Sequence, residues 1–286
     1  MRHRRIVSVF LMTIFAASYS GQLEAARPLS GTLHIHDIAF GPADSSLLFV
    51  ATHQGVFLIA PDGIGSQVSD EASDVTGIVF DPGDPMRLLM SGHLSNGRSL
   101  GVVTSRDSGH SWQESPLGVD GPRDFNDLAV SPAAPEVLYG VSQWVYISRD
   151  GGTVWETTGS TPSTVHDIAV SAYDPGILYA ATEKGLLLSL DEGKTWDPIA
   201  GDQGDPATMV QAGPDGSVYA FIVGSGLIKA PASNLVWAPL SAEIPDDVMS
   251  RLAIDSSNDS RMFAVTQHSR IIRSVDGGVS WTAFGS

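Results

Sequence analysis

One short motif recurs along the chain at a nearly constant interval, and this repeat constrains the fold more than any other feature of the sequence. The pattern Ser-x-Asp-x-Gly-x-x-Trp occupies four windows, at 105–112, 148–155, 189–196 and 274–281. Two degenerate copies lie at 60–63 and 230–237. The six copies begin 41–45 residues apart. That period is typical of a propeller blade built from four strands.

The segments between the copies are short, β-rich and separated by turn residues. In the fourth unit, residues 167–171 place three apolar residues between Asp167 and Ser171, and Asp-Pro-Gly at 174–176 is a turn between two strand-like runs. After residue 30, no window of about a dozen residues sustains the 3.6-residue period of a helix. The sequence therefore predicts one all-β domain over 31–286. It is a six-bladed β-propeller with the repeated turn between the third and fourth strands of each blade.

Each residue type of the repeated turn has a structural role that follows from its chemistry. Glycine accepts the positive φ that a tight turn requires. The Asp carboxylate can accept several backbone N–H groups, and the Trp ring can cover the edge of a blade. We therefore assign structural roles to Asp107, Trp112, Asp150, Trp155, Asp191, Trp196, Asp276 and Trp281.

The repeated turn resembles the Asp-box (BNR) repeat of sialidases and sortilin-like propellers. Ala-Thr-His53-Gln-Gly55 and Ser-Gly-His93 are similar to a bacterial family labelled glycosyl hydrolase, a label that follows the propeller and conveys little chemistry. Sialidases of this class carry Arg-Ile-Pro before the first blade, three substrate arginines and a Tyr–Glu nucleophile. Here the corresponding stretch is Ala-Arg-Pro-Leu at 26–29, and no such set is found. The resemblance implies a sialidase-like propeller fold without true sialidase activity.

Composition excludes several classes of partner and chemistry. The chain carries 32 acidic and 16 basic residues, a net charge of −16, which argues against binding to nucleic acid. It contains no cysteine, which excludes disulfides, thiolate metal sites and a cysteine nucleophile. We predict no cofactor and no metal site, because no close pair of histidines lies beside a carboxylate in a ligand-like loop. His34-Ile35-His36 is the nearest candidate.

The first 25 residues have the features of a secretory signal peptide. Arg2, Arg4 and Arg5 precede a mostly apolar stretch at 6–17 that is short for a membrane span, and small residues follow. Cleavage after residue 20 or 25 fits this pattern. We therefore expect a secreted or periplasmic monomer that has no membrane contact after cleavage.

Strand order decides which loops can form a binding mouth. If the repeated turn joins the third and fourth strands, the starts of the first strands and the loops after the second strands share the opposite face. The six first strands all open on polar residues, and several of the loops carry histidines. We predict a ligand-binding mouth formed by His36, Asp37, His53, His93, Asn126, His166, Arg251 and His268. The alternative is a polar ring that only lines a water-filled channel.

Two functions remain open at this point. The first is an exported recognition propeller that binds a glycan or a protein segment at this mouth, with affinity that varies between about pH 5 and 8 as the histidines titrate. The second is a glycoside hydrolase-like enzyme that uses Asp167 and Glu183 as its carboxylate pair, with Asp37 and Asp127 as further candidates. Each Asp could instead be bonded to backbone at a turn. Whether the protein is an enzyme stays uncertain, although the lack of a complete catalytic motif favours binding.

Overall fold

The computed structural model describes residues 27–28, 33–41, 43–68, 73–94, 96–114, 125–200, 204–241, 244 and 247–285. The predicted signal peptide at 1–25 lies outside these residues. Within them, every regular element is a β-strand, and the strands form six antiparallel sheets. The predicted all-β, six-bladed propeller is confirmed. No helix in this part of the chain is long and apolar enough to cross a membrane.

Each of the first three blades is built from four consecutive strands. Blade 1 contains β2 (Ile35–Phe40), β3 (Leu48–Thr52), β4 (Gly55–Ile59) and β5 (Ile64–Gln67), and β1 (Arg27–Pro28) pairs with the outer edge of β5. Blade 2 contains β6 (Ser73–Asp81), β7 (Asp84–Leu94), β8 (Ser99–Ser105) and β9 (Gln113–Glu114). Blade 3 contains β10 (Asp127–Val130), β11 (Leu138–Val141), β12 (Trp144–Ser148) and β13 (Glu156–Ser160).

The last three blades follow the same order. Blade 4 contains β14 (Val165–Val170), β15 (Leu178–Thr182), β16 (Gly185–Ser189) and β17 (Asp197–Ala200). Blade 5 contains β18 (Ala207–Ala212), β19 (Ser217–Ile222), β20 (Gly226–Pro231) and β21 (Ala238–Ser241). Blade 6 contains β22 (Met249–Ile254), β23 (Met262–Thr266), β24 (Ile271–Ser274) and β25 (Thr282–Ala283).

The first strand of each blade lies at the axis of the molecule. Each of these inner strands packs against the inner strands of the two neighbouring blades, and β22 packs against β2 to close the ring. The second strands are covered on both faces by adjacent blades. All five residues of β3, β15 and β23 are buried. This explains why these strands are almost continuously apolar rather than alternating.

The repeated turn is organised around its serine. In blade 4, the Ser189 hydroxyl donates to Asp191 Oδ1 at 2.8 Å and accepts the Gly193 N–H at 2.8 Å. Asp191 Oδ1 also accepts the N–H groups of Lys194 and Thr195, at 3.1 and 2.9 Å. Gly193 has φ of +84°, and a Cβ there would lie 2.8 Å from Val145 of blade 3. The same serine-centred bonds recur at Ser105, Ser148 and Ser274.

The tryptophan of each repeated turn fills the boundary with the preceding blade. Trp196 of blade 4 packs on a cluster that includes Val145 and Ile147 of blade 3. Its indole Nε1 donates to the Gly193 carbonyl at 3.2 Å. The ring remains partly exposed, so it covers the edge of the blade rather than lying within its core.

Blades 6 and 1 are joined without a shared strand. Phe263 of blade 6 contacts Phe40 of blade 1 and Phe284 near the C-terminus, with ring centroids 5.5 and 4.8 Å apart. The Arg261 guanidinium donates to the Ser45 carbonyl across the same boundary. Side-chain packing therefore closes the ring.

Candidate functional site

Four histidines and one aspartate converge where the inner strands of blades 1 and 2 begin. We call this group the histidine cluster; its members are His34, His36, His53, His93 and Asp74. His36 Nε2 lies 3.2 Å from His53 Nδ1 and 3.1 Å from Asp74 Oδ1. Asp74 Oδ2 lies 2.7 Å from His53 Nδ1 and 3.4 Å from His93 Nε2. The His34 ring lies 4.8 and 4.9 Å from the rings of His36 and His53.

The strand registers explain why these side chains meet. His34 and His36 are two residues apart on an extended segment, so they lie on the same side of it. His53 is in the turn between β3 and β4, directly after Thr52, which pairs with Ile35. Asp74 and His93 are cross-strand partners on β6 and β7. The contact between blades 1 and 2 then joins the three histidines of blade 1 to the Asp74–His93 pair of blade 2.

Asp74 is not among the site residues that the sequence predicts. The residue of blade 2 that is equivalent to His36 is Thr76. Asp74 precedes Thr76 by two residues, just as His34 precedes His36. Side chains two residues apart on a strand lie on the same side of it. Including the residue two positions before each first polar position would therefore have added Asp74 to the predicted site.

The titration of His36 differs from the sequence-based expectation. Burial lowers the pKa of His36 to about 4, and although Asp74 raises it, His53 and His34 lower it further. Burial also lowers the pKa of His166, against the opposing effect of Glu183. The expectation that His36 titrates near neutrality is therefore wrong, because it neglected the loss of hydration of this imidazole. The His36 ring is neutral at pH 7.

A charged layer lies one residue further into the channel. The residues that follow the first polar position of the six inner strands are Asp37, Gly77, Asp127, Asp167, Met209 and Arg251. The Arg251 Nε lies 3.8 Å from Asp37 Oδ1 and 4.0 Å from Asp167 Oδ1. Its Nη1 donates to the His166 carbonyl at 3.0 Å. Arg251, whose side chain is 13% exposed, is thus a counter-ion for several carboxylates and forms the floor of the mouth.

Burial governs the protonation of this layer. It raises the pKa of Asp37 to about 7, an effect that Arg251 opposes and Asp127 reinforces. The pKa of Asp167 is raised for the same reasons, burial first. Burial alone would lower the pKa of Arg251, but Asp167, Asp127 and Asp37 together raise it. The guanidinium therefore stays charged, and the pKa values of the Asp37 and Asp167 carboxyls beside it are raised.

These carboxylates also hold neighbouring blades together. We call each boundary between two blades a seam. Asp37 Oδ2 accepts the Ile78 N–H of blade 2 at 2.9 Å, and Asp127 Oδ2 accepts the Ile168 N–H of blade 4 at 2.9 Å. Asp167 Oδ2 accepts the Val210 N–H of blade 5 at 2.8 Å. Asp37 and Asp167 thus have the backbone-bonded role that was the structural alternative to catalysis.

The other three seams are crossed by hydroxyl groups. Thr76 Oγ1 donates to the Phe125 carbonyl of blade 3 at 2.6 Å, and Thr208 Oγ1 donates to the Met249 carbonyl of blade 6 at 2.6 Å. Ser269 Oγ of blade 6 accepts the Ile35 N–H of blade 1 at 3.0 Å. Each seam therefore has a side-chain-to-backbone bond near the start of its inner strands.

A cavity of about 430 Å³ occupies the channel on the other side of the charged layer. Asp37, Asp127 and Arg251 line its inner end, and its wall continues along the inner strands through Phe40 to Ser45. It opens toward the loops between first and second strands, the face that also carries the repeated turns. The charged layer thus lies between this cavity and the histidine cluster.

The remaining predicted residues share the face of the mouth but are not part of the cluster. Asn126 and His166 are exposed at the starts of their strands, and Glu183 is exposed in the turn after β15. His268 belongs to a separate ionic group, because its Nδ1 lies 2.9 Å from Asp247 Oδ1. Arg270 binds the other oxygen of that carboxylate at 2.7 Å. Asp167 and Glu183 therefore have different surroundings, one within the channel wall and the other at the surface.

Several solved propellers are similar to this chain. The GH74 xyloglucanase from Xanthomonas campestris has a TM-score of 0.64 and 20% identity over 91% of this chain and 46% of the enzyme. The GH74 enzyme from Niastella koreensis has a TM-score of 0.69 and 17% identity over 89% and 46%. YCF48 bound to a D1 peptide has a TM-score of 0.57 and 15% identity over 94% and 86%.

These similarities establish the propeller fold and nothing finer, because the sequence identities are low. This chain spans less than half the length of the two GH74 enzymes, whereas it covers 86% of the YCF48 structure. No protein-family model matches the sequence, and no curated protein is significantly similar to it.

Proposed function

We propose that this protein is an exported recognition propeller, built from Asp-box blades, whose mouth binds a polar protein segment or a glycan. The observation that supports the proposal is that the carboxylates in the channel wall are bonded to the backbone of neighbouring blades. Asp37 and Asp167 accept backbone N–H groups of the next blade and neighbour Arg251. A general acid or base must be able to reach a substrate proton, and a carboxylate used in this way is poorly placed to do so.

The shape and polarity of the mouth suit a ligand that lies across it. Arg251 and the surrounding carboxylates form its floor, and histidines, Asn126 and Glu183 lie around its rim. Imidazole, amide and carboxylate groups offer both hydrogen-bond donors and acceptors to an extended polar chain. The net charge of −16 favours a polar or basic segment over an acidic one.

The similar structures add independent support. YCF48 is similar to this chain over most of its own length and is seen with a peptide, so a single propeller of this size is sufficient for binding a peptide. The match covers only 46% of the length of each GH74 enzyme. A glycosidase role for Asp167 and Glu183 is therefore the second candidate and becomes an outcome of the test.

The test is a binding screen with variants on the rim of the mouth. The full protein is applied to peptide and glycan arrays, and hits are measured in solution with the Asn126→Ala/His166→Ala double variant. We expect binding to weaken about tenfold or more if these two side chains are main contacts of the ligand, because such hot-spot residues typically cost about 2 kcal/mol or more when truncated. His110→Ala, on the opposite face, is the matched control and should bind normally.

Two results would contradict the proposal. Unchanged binding by the double variant would place recognition elsewhere on the molecule. Release of reducing sugar from a glycan hit, abolished by Asp167→Asn or Glu183→Gln, would establish the glycosidase instead.

A further inference from the structure

We propose that the histidine cluster is a binding site for one divalent transition-metal ion of the zinc class, held by His34, His36 and His53 with Asp74 as the carboxylate partner. Potential ligand atoms of the three histidines all lie within 4.8 Å of one another. Imidazole nitrogens and carboxylate oxygens are the ligands that zinc and related ions prefer. The site does not depend on which macromolecule binds at the mouth, because it is tested with the ion alone.

The distances within the cluster fit a common ligand. A tetrahedral zinc ion with bonds of about 2.0–2.1 Å holds its ligand atoms about 3.3 Å apart. His36 Nε2 is 3.2 Å from His53 Nδ1 and 3.1 Å from Asp74 Oδ1. His34 is further away, but its side chain is exposed and can turn toward the other two.

Asp74 gives a second, independent indication. Its Oδ1 is buried, and no group in the described part of the chain donates a hydrogen bond to it, although His36 Nε2 is only 3.1 Å away. A buried carboxylate oxygen without a hydrogen-bond donor is costly. His36 Nε2 and Asp74 Oδ1 are therefore close to each other without forming a hydrogen bond. Two ligands of one metal ion have this arrangement.

The other Asp74 oxygen lies beside the same ligand atom of His53. Asp74 Oδ2 is 2.7 Å from His53 Nδ1. Without an ion, this distance suits an N–H···O hydrogen bond, and the proton leaves Nδ1 when that nitrogen binds an ion. Asp74 can therefore bind the ion through either oxygen.

The sequence alone does not show that these histidines lie beside Asp74. His34 and His36 form a His-x-His pair on a strand rather than beside a carboxylate in a ligand-like loop, which is why the sequence predicts no metal site. The carboxylate comes from β6, about forty residues later in the chain. The seam between blades 1 and 2 brings it to the histidines, so the site requires an intact propeller.

The test titrates the full protein with Zn²⁺ by calorimetry and with Co²⁺ by visible absorption. We expect one ion per chain and, with Co²⁺, the intense visible bands of a tetrahedral site. Loss of an outer-shell partner typically reduces metal affinity about 10–100-fold, so loss of a ligand should reduce it more than about 100-fold. His36→Gln and His53→Gln should show the larger loss, and Asp74→Asn should lose at least about tenfold.

His268→Gln is the matched control, because this histidine is on the same face and also contacts an aspartate, Asp247. It should bind Zn²⁺ like the unaltered protein. Circular dichroism of each variant establishes that the propeller is folded, and His53→Gln alters an exposed side chain that should not affect folding.

The proposal is overturned if the folded protein shows no saturable binding of Zn²⁺ or Co²⁺, or if His36→Gln and His53→Gln bind as tightly as His268→Gln. Neither result bears on the Asn126→Ala/His166→Ala experiment, so the two proposals fail separately.

Discussion

At the scale of single residues, the buried serine of the repeated turn contributes more than the sequence suggested. Ser189 is 1% exposed and is bonded to both Asp191 and Gly193. The carboxylate of Asp191 is at the surface of the turn, so water can replace some of the hydrogen bonds that it accepts. The Gly193 N–H is buried, and water cannot replace the Ser189 hydroxyl as its acceptor.

Ser189→Ala should therefore destabilise the protein by about 1–3 kcal/mol, the cost of leaving a buried N–H without an acceptor. Urea unfolding at pH 7, followed by tryptophan fluorescence, measures this loss. Thr153→Ala, which removes a hydroxyl from the exposed part of an equivalent turn, is the control and should change stability much less. An equal loss in both variants would contradict a serine-centred turn.

Arg251 is the residue whose removal should be most damaging in the channel. Arg251→Met introduces the residue found at the equivalent position of blade 5, Met209, and leaves Asp37 and Asp167 without their counter-ion. Removing one partner of a buried ion pair typically costs about 3–5 kcal/mol. We expect a smaller loss in urea unfolding at pH 7, because the raised pKa values allow Asp37 and Asp167 to become protonated. Arg251→Met/Asp167→Asn should recover part of it. If the double variant is no more stable than Arg251→Met, the charged layer does not act through this pair.

At the scale of elements, the repeated turns should respond together to acid. Hydrogen bonds, chiefly from Ser111, Thr195 and Ser280, lower the pKa values of Asp107, Asp191 and Asp276 to about 2. Because these folded-state values lie below the unfolded value of about 3.9, the stabilisation is complete above about pH 4. It is lost as the pH falls from about 4 through 2.

Thermal melting between pH 6 and 2 measures this effect, with Asp191→Asn for comparison. The variant should be less stable at pH 6 but should lose less stability on acidification, because one of the titrating carboxylates is gone. Parallel curves for the two proteins would exclude Asp191 as a contributor to acid sensitivity.

The sequence was sufficient to predict the elements and the face of the mouth, because both follow from the repeat. The period located the blades, and the position of the turn between third and fourth strands located His36, His53 and His93 on one face. It was not sufficient to predict Asp74 or the role of Asp167. Contacts across a seam depend on how neighbouring blades rotate against each other, and burial, which sets the pKa values of His36 and Asp167, is a property of the closed ring.

At the scale of the whole molecule, closure depends on side chains near the C-terminus. Phe284 is partly buried against Phe263, and its N–H donates to the Ile271 carbonyl at 2.9 Å. Phe284→Ala should cost about 1–3 kcal/mol, less than the roughly 3–5 kcal/mol typical of a fully buried phenylalanine.

Native-state hydrogen exchange provides the more specific measurement for Phe284→Ala. Amides of β2 and β22, the inner strands on either side of this boundary, should lose protection before those of β10 and β14. A uniform loss of protection over all six blades would show that the boundary between blades 6 and 1 does not open independently of the rest of the propeller.

The small number of polar bonds at each seam has a consequence for the width of the channel. Hydrogen bonds are dense within each sheet but sparse between sheets, so the blades resist deformation while the angles between them change more easily. If each blade rotates slightly against the next, the six rotations together change the radius of the channel. The hydrogen bonds between strands of the same blade remain intact. We therefore expect the channel radius to change more readily than the pairing of strands within any blade.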